Sequence, residues 1–137
     1  MRIQAITLLA CFGMGGFVYG QDVWVVDDDG KGDFNTIQAA VDAASSGDEI
    51  QVMPGTYSET IQIPAISISL RGLGTSGEVV LDGQDNIRLI EAVDLGGETL
   101  QLENLTLTNA GELGASIPEN RAFALYAVNG DCFLTNC

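Results

Sequence analysis

The stretch Asp48 to Pro64, DEIQVMPGTYSETIQIP, decides the fold. It reads as a short strand over Glu49 to Met53, a tight turn at Pro54 and Gly55, an exposed aromatic hinge at Tyr57, and a second strand over Thr60 to Ile63. A single unit of this kind cannot bury its own apolar face, so the neighbouring sequence must supply the partner. Towards the C-terminus the theme recurs: strand patterns cover Ser67 to Arg71, Val79 to Leu81, Ile87 to Ala92, Leu100 to Thr108, Ala122 to Val128 and Cys132 to Thr135. Turn signals separate them at Gly72-Leu73-Gly74, Asp82-Gly83, Gly96-Gly97, Asn109-Ala110-Gly111 and Asn129-Gly130.

Two architectures accommodate such a string of short strands. Asn129-Gly130 could close a hairpin, which would suit an antiparallel sandwich. Internal similarity favours stacked coils instead, because Leu107-Thr108-Asn109 recurs twenty-seven residues later as Leu134-Thr135-Asn136. In-register stacking would set Asn109 beneath Asn136 at one corner, where side-chain amides can satisfy the turn backbone. The expected class is therefore all-β, a parallel β-helix solenoid of about four coils, incomplete at the C-terminus.

Working back from Asp48, residues Phe34 to Ser46 carry the one helical pattern. Ile37, Ala40, Val41 and Ala44 form a narrow apolar stripe, with Asn35 as the expected N-cap and Gly47 as the stop. A short amphipathic α-helix placed before a run of strands suits an N-terminal cap that hides strand edges. Val23 to Val26 is β-prone and leads into Asp27-Asp28-Asp29-Gly30-Lys31-Gly32-Asp33. The acids invite a calcium-loop reading, but EF-hand spacing would put Lys31 at a ligand position and no glutamate closes the loop; a solvated turn is the better reading, and no metal or cofactor is expected.

Residues 1–20 read as a signal peptide. Met1-Arg2 is a minimal basic start, Ile3 to Val18 is mostly apolar, and Val18 and Gly20 put small side chains at a cleavage position before Gln21. A spanning helix is disfavoured by the glycines between Gly13 and Gly20, and no membrane insertion is expected after cleavage. Leu8-Leu9-Ala10-Cys11 resembles a lipid-attachment box, an alternative that would anchor the protein through Cys11. The expected location is secreted or at the cell surface, periplasmic in a Gram-negative bacterium. The remaining units would be 21–47, a strand with the capping helix, and 48–137, the first coils.

Loss of residues 1–20 removes Arg2 and no acid, leaving 19 acidic and 4 basic side chains and a net charge of −15. Such a surface repels nucleic acid, anionic membranes and polyanionic glycans, and its plainest role is solubility. Cys132 and Cys137 fall on opposite faces of one expected strand, too far apart to bridge each other; buried free thiols are expected, with pairing beyond the chain as the alternative. There is no histidine, Cys/His metal spacing or phosphate-binding glycine loop. Trp24 and Tyr126 could stack on sugar rings, although packing is the commoner use of a lone aromatic residue.

Several motifs resemble the opening of pectinesterases, within the pectin-lyase-like right-handed β-helix proteins. Val26-x-x-Asp29-Gly30-x-Gly32-Asp33-Phe34-x-Thr36-Ile37-Gln38 is similar to the family's entry into its cap helix, and Gly55-x-Tyr57-x-Glu59 to its Gly-x-Tyr-x-Glu signature. Ile68-Ser69-Leu70-Arg71-Gly72 with Val79 to Gly83, then Leu105 to Gly111, Ala122-Phe123-Ala124-Leu125 and Asn136-Cys137, follow the family's order. The resemblance covers roughly Val23 to Cys137. It implies a right-handed helix and, for active members, hydrolysis of galacturonan methyl esters by an aspartate nucleophile and an aspartate acid/base, assisted by arginine and glutamine.

Two departures bear on that chemistry. The family's first aspartate motif lies after the Asn-Cys pair on which this chain ends, and Arg121 stands where the family has a glutamine. Arg121 could bind a carboxylate or stabilise an oxyanion but cannot accept a hydrogen bond; a surface ion pair with Glu119 is the bland alternative. Gln84-Asp85 imitates the start of the catalytic motif but sits in a turn, too early in the order. Asn104-Leu105-Thr106 is a glycosylation sequon, relevant in a eukaryotic secretory pathway.

The functional expectation is a secreted, non-catalytic β-helix that binds polysaccharide or serves as a surface scaffold, with Arg121 and Tyr126 as candidate substrate-binding residues and no catalytic residue. The alternative is the N-terminal part of a pectinesterase-like esterase whose aspartates lie beyond Cys137. Ala122 to Cys137 is expected to expose strand edges and to favour self-association.

Overall fold

A computed structural model describes residues 20–84, 88–110, 125–127 and 129–137. It contains strands β1 (Val23–Val26), β2 (Glu49–Val52), β3 (Gly55–Tyr57), β4 (Ile61–Gln62), β5 (Ile68–Gly72) and β6 (Val79–Asp82). Strands β7 (Ile90–Ala92), β8 (Thr99–Glu103), β9 (Thr106–Thr108), β10 (Leu125–Ala127) and β11 (Asp131–Thr135) follow, and one helix, α1 (Ile37–Ala43), lies between β1 and β2. No helix among the described residues is long and apolar enough to cross a membrane.

The strands form three sheets, ordered β1-β2-β5-β8-β11, β3-β6-β9 and β4-β7-β10. Every pairing between these strands is parallel. The chain visits the sheets in rotation: β2, β3 and β4 make one circuit, β5, β6 and β7 the next, β8, β9 and β10 another. Asn129-Gly130 consequently joins strands of different sheets and closes no hairpin.

Alternation along each strand places like residues in the same row of successive circuits. In the five-stranded sheet, Trp24, Ile50, Leu70, Leu102 and Leu134 stand in one row, buried at Ile50, Leu70 and Leu102 and exposed at Leu134. Ile68, Leu100 and Cys132 form another. The smaller sheets contribute Tyr57, Leu81 and Leu107, and Ile61, Ile90 and Leu125. Glu49, Gln51, Ser69, Arg71, Gln101 and Glu103 alternate with the apolar set and keep solvent contact.

The Asp48 to Pro64 stretch differs from its sequence reading in two respects. Gly55 opens a strand in place of a turn, so the stretch holds three strands, and Tyr57 is buried at 3% exposure instead of being an exposed hinge. Pairing with β6 draws Gly55 to Tyr57 into the sheet, which a Pro-Gly pair read in isolation does not reveal. Likewise, Leu100 to Thr108 is two strands, broken at Asn104 in the left-handed conformation (φ 55°).

Asparagine and aspartate line the corners, but the expected Asn109–Asn136 stack does not form. Thr135 pairs with Glu103, so Asn136 follows the row of Asn104. Leu-Thr-Asn therefore ends two strands in different sheets; the shared need is a left-handed residue after a strand, met at Asn109 (φ 49°) and Asn136 (φ 52°) alike. Asn104 Nδ2 donates to the Gly72 and Gly74 carbonyls at 3.0 and 3.3 Å. Asn109 Nδ2 reaches Asp82 Oδ1 at 3.0 Å, and Asn129 Nδ2 reaches Asp94 Oδ1 at 3.2 Å. Each corner is thereby tied to the preceding circuit. Gly72 permits one of these contacts, because a Cβ there would overlap the Asn104 carbonyl.

Helix α1 is shorter than the periodic stretch suggests, and its N-cap is Thr36, not Asn35. Thr36 Oγ1 accepts from the Ala39 N–H at 3.3 Å. Ile37, Ala40 and Val41 are buried, while Gly47 (φ +100°) serves the turn into β2. The cysteines are free, as expected, but only half-buried at Cys132 and exposed at Cys137, beyond β11. Burial pushes the Cys132 thiol up from its ordinary value.

Leu70 is fully buried between Ile50 and Leu102. Leu70→Ala should lower unfolding free energy by about 2–5 kcal/mol through lost burial and a residual cavity. Urea unfolding monitored by far-UV circular dichroism checks this, and a loss below about 1 kcal/mol would contradict the ladder as the main core.

Candidate functional site

The best-built polar constellation is the junction of α1 with the first circuit, and its centre is Glu59. A helix begins with N–H groups that have no partner within it. Thr36 satisfies one; the position where a capping box would carry glutamate holds Ala39. Glu59, between β3 and β4, supplies the missing acceptors. Its Oε1 accepts from the Ile37 N–H and its Oε2 from the Gln38 N–H, both at 2.9 Å.

Tyr57, two residues earlier, anchors the same corner. Its hydroxyl donates to the Met53 carbonyl at 3.0 Å. Burial pushes its pKa up to about 12, opposed by the Asp28 backbone N–H, which donates to the phenol oxygen, and reinforced by the Asp28, Asp27 and Glu59 carboxylates. Thus Tyr57 and Glu59 lock the first circuit. The helix-capping role of Glu59 was missed; the one available signal was a helix start without its own capping glutamate.

The other acids of this end are used in the same way. Asp48, 3% exposed, accepts from the Asp22 N–H (3.0 Å), the Ser45 N–H (2.8 Å) and Trp24 Nε1 (3.2 Å). Asp33 Oδ2 accepts from the Val25 N–H at 3.0 Å. In the Asp27-Asp28-Asp29-Gly30 segment, Asp27 Oδ1 takes the Asp29 N–H and the Gly30 N–H closes a turn onto the Asp27 carbonyl, both at 3.0 Å. The segment is a turn, and among the described residues no group of three or more His, Cys, Asp or Glu is placed to hold a metal.

The candidate ligand residues fare differently. Arg121 lies outside the described residues. Tyr126 contributes its backbone to β10, opposite Glu91 in β7, and its side chain lies outside the described set. Trp24 is committed to packing: besides its bond to Asp48, its ring meets Phe34 edge-on, with centroids 5.5 Å apart. Gln84, at φ 50°, donates its N–H to Asp82 Oδ1 at 2.9 Å within a turn, whereas Asp85 is outside the described residues. That bond, with the one from Asn109, holds the Asp82 carboxyl below its ordinary pKa. Asn104 of the sequon spends both amide hydrogens on backbone carbonyls.

A shallow open groove of about 140 Å³ runs beside Asp48, Ser67, Ser69, Thr99 and Gln101. The Asp48 carboxylate and the Ser67 hydroxyl are engaged. Ser67 Oγ donates to Glu98 Oε2 at 2.5 Å and accepts from the Thr99 N–H at 3.0 Å. Around Asp48 and Glu59 the carboxylates are taken up by main-chain N–H groups and the Trp24 ring N–H.

Comparison with curated proteins finds a similarity to probable pectinesterase/pectinesterase inhibitor 17 of Arabidopsis thaliana, 34% identical over 94 residues. The aligned part is 67% of this chain and 17% of the relative, so the chain spans about a sixth of the relative's length. No family model matches the chain, and no solved structure matches it. The similarity therefore supports a pectinesterase-related chain, in agreement with the resemblance carried by Gly55-x-Tyr57-x-Glu59.

Glu59→Ala should cost about 2 kcal/mol by leaving two helix N–H groups without an acceptor, and Glu59→Gln, which keeps one acceptor oxygen, should cost less. Thermal unfolding of both variants measures this; a loss below about 0.5 kcal/mol for Glu59→Ala would contradict the capping role. Tyr57 adds a pH dependence. Its raised pKa means that its contribution is complete below about pH 10 and is lost as pH rises towards about 12. Denaturant midpoints across that window should fall more steeply for the parent protein than for Tyr57→Phe.

Proposed function

We propose that the chain forms the capped first part of a secreted right-handed parallel β-helix in a pectinesterase-type carbohydrate esterase, with methyl-esterified galacturonan as the substrate of the whole protein. The observation that carries this reading is the agreement between sequence similarity and construction. The similarity is to a pectinesterase, and the Gly-x-Tyr-x-Glu segment joins helix α1 to three parallel sheets visited in rotation. In this reading residues 21–47 close one end of the helix, residues 48–137 supply its first coils, and the ester-hydrolysing aspartates belong to sequence after Cys137.

The location that goes with this role is extracellular, at the cell wall or surface, with residues 1–20 as the export signal. Polysaccharide is the partner. Splitting the chemistry between two carboxylates suits ester hydrolysis, since one must be ionised to attack while the other donates a proton. The framework described here would hold such a pair rigidly without contributing to it.

Arg121, in place of a glutamine that would help stabilise an oxyanion, favours a second reading: a β-helix of the same descent that binds polysaccharide without turning it over, Arg121 and Tyr126 contributing to the contact. The two readings separate in one assay. Residues 21–137 should release no methanol from methylated pectin, whereas a protein extended along its coding sequence should release it under the esterase reading. An extended protein that binds pectin without releasing methanol would support the scaffold reading, and turnover by residues 21–137 alone would contradict both.

A further inference from the structure

Strand β4 is the outer strand of its sheet, and its inner side is fully used: the Ile61 and Ile63 N–H groups donate to the Leu89 and Glu91 carbonyls, each at 2.8 Å. The groups of Gln62 point the other way, where another strand could add. The Gln38 side chain occupies that place. Its Oε1 accepts from the Gln62 N–H at 2.6 Å and its Nε2 donates to the Gln62 carbonyl at 3.2 Å. Asp42 Oδ1, one turn along α1, accepts from the same Nε2 at 2.8 Å and fixes the amide. A carboxamide carries the donor and acceptor of a peptide group, so Gln38 reproduces what a neighbouring strand would offer.

The five-stranded sheet is closed by a different device. The outward groups of Val25 in β1 are taken by Asp33 and Phe34: Asp33 Oδ2 accepts from the Val25 N–H, and the Val25 carbonyl accepts from the Asp33 and Phe34 N–H groups at 2.7 and 3.1 Å. Phe34 pairs with Val26 as an isolated parallel bridge.

We infer that Gln38 and Asp33 are edge-blocking residues that prevent a β-strand of a second copy of this chain from adding to β4 and β1, the outer strands of two of the three sheets. Apolar cover by α1 alone would leave the Gln62 peptide groups open; Gln38 takes both of them, and at Val25 the Asp33 carboxylate takes the N–H while the Asp33 and Phe34 main-chain N–H groups take the carbonyl. A stacked sheet otherwise offers the same surface at both ends, and one blocked end is enough to forbid head-to-tail growth.

Amide exchange on the unaltered protein tests the geometry first. The Gln62 amide should exchange within about tenfold of the Ile61 and Ile63 amides, although no strand lies beyond it. Exchange as fast as in an unprotected edge would overturn the assignment. Gln38→Met keeps the length of the side chain and loses both hydrogen bonds, and with Asp33→Ala it should self-associate at concentrations where the parent sediments unchanged. Assembly should restore slow exchange at Gln62 and Val25. Gln38→Glu with Asp33 intact keeps an acceptor for Gln62 and adds a repelling charge, so it should stay as dispersed as the parent. Association by Gln38→Glu, or association of the double variant that protects only β11 amides, would overturn the proposal.

Discussion

The structure depends on one unmet requirement: a seven-residue helix cannot satisfy its own first N–H groups, and here the acceptor comes from the strand layer it covers. Glu59 takes two of those groups, so the start of the helix is bonded directly to the first circuit. A helix this short has little stability alone. Burial of Ile37, Ala40 and Val41 supplies the apolar part, while Glu59 fixes the angle at which the helix sits. Tyr57 holds the segment that carries Glu59, through its bond to Met53.

The acidity of the chain acquires a physical meaning from the same chemistry. With 19 acids against 5 bases, the surface repels itself, and solubility alone would account for a solvated acidic coat. Many of these acids are in fact acceptors for backbone donors. Asp27, Asp33, Asp48, Glu59, Glu78 and Asp82 each take at least one main-chain N–H. Parallel circuits require a turn at every corner, and each turn frees N–H groups that no ladder satisfies. Carboxylates and asparagines near those corners meet this demand, which links the composition to the architecture directly.

Local pattern made the strands, the single helix and the family likeness legible, because burial on one face leaves alternation in the sequence at Glu49 to Val52 and Thr99 to Glu103. What stayed illegible was whatever a distant segment decides. Gly55 to Tyr57 becomes a strand only when Val79 to Leu81 lies beside it, and Tyr57 is buried for the same reason. The Leu-Thr-Asn repeat misled because left-handed asparagines end strands in more than one sheet. Thr36 displaced Asn35 as the cap by one residue, a distinction that helix propensity does not make. As for the candidate site, Tyr126 was traceable to a strand by its β-prone neighbours, while Glu59 escaped because its partners lie more than twenty residues earlier.

This division explains why a motif can identify a lineage without marking a reaction. Glycine, tyrosine and glutamate in Gly55-x-Tyr57-x-Glu59 answer separate demands. Asp28 lies so close to Gly55 that a side chain there would meet its carboxylate at 2.9 Å, Tyr57 fills the interior and ties down Met53, and Glu59 caps the helix. None of the three is free to act on a ligand without giving up a bond that the first circuit needs. A protein with the same scaffold could change or lose its chemistry and keep all three. The similarity to a pectinesterase is accordingly matched, in Gly55-x-Tyr57-x-Glu59, by residues that join helix α1 to the first circuit.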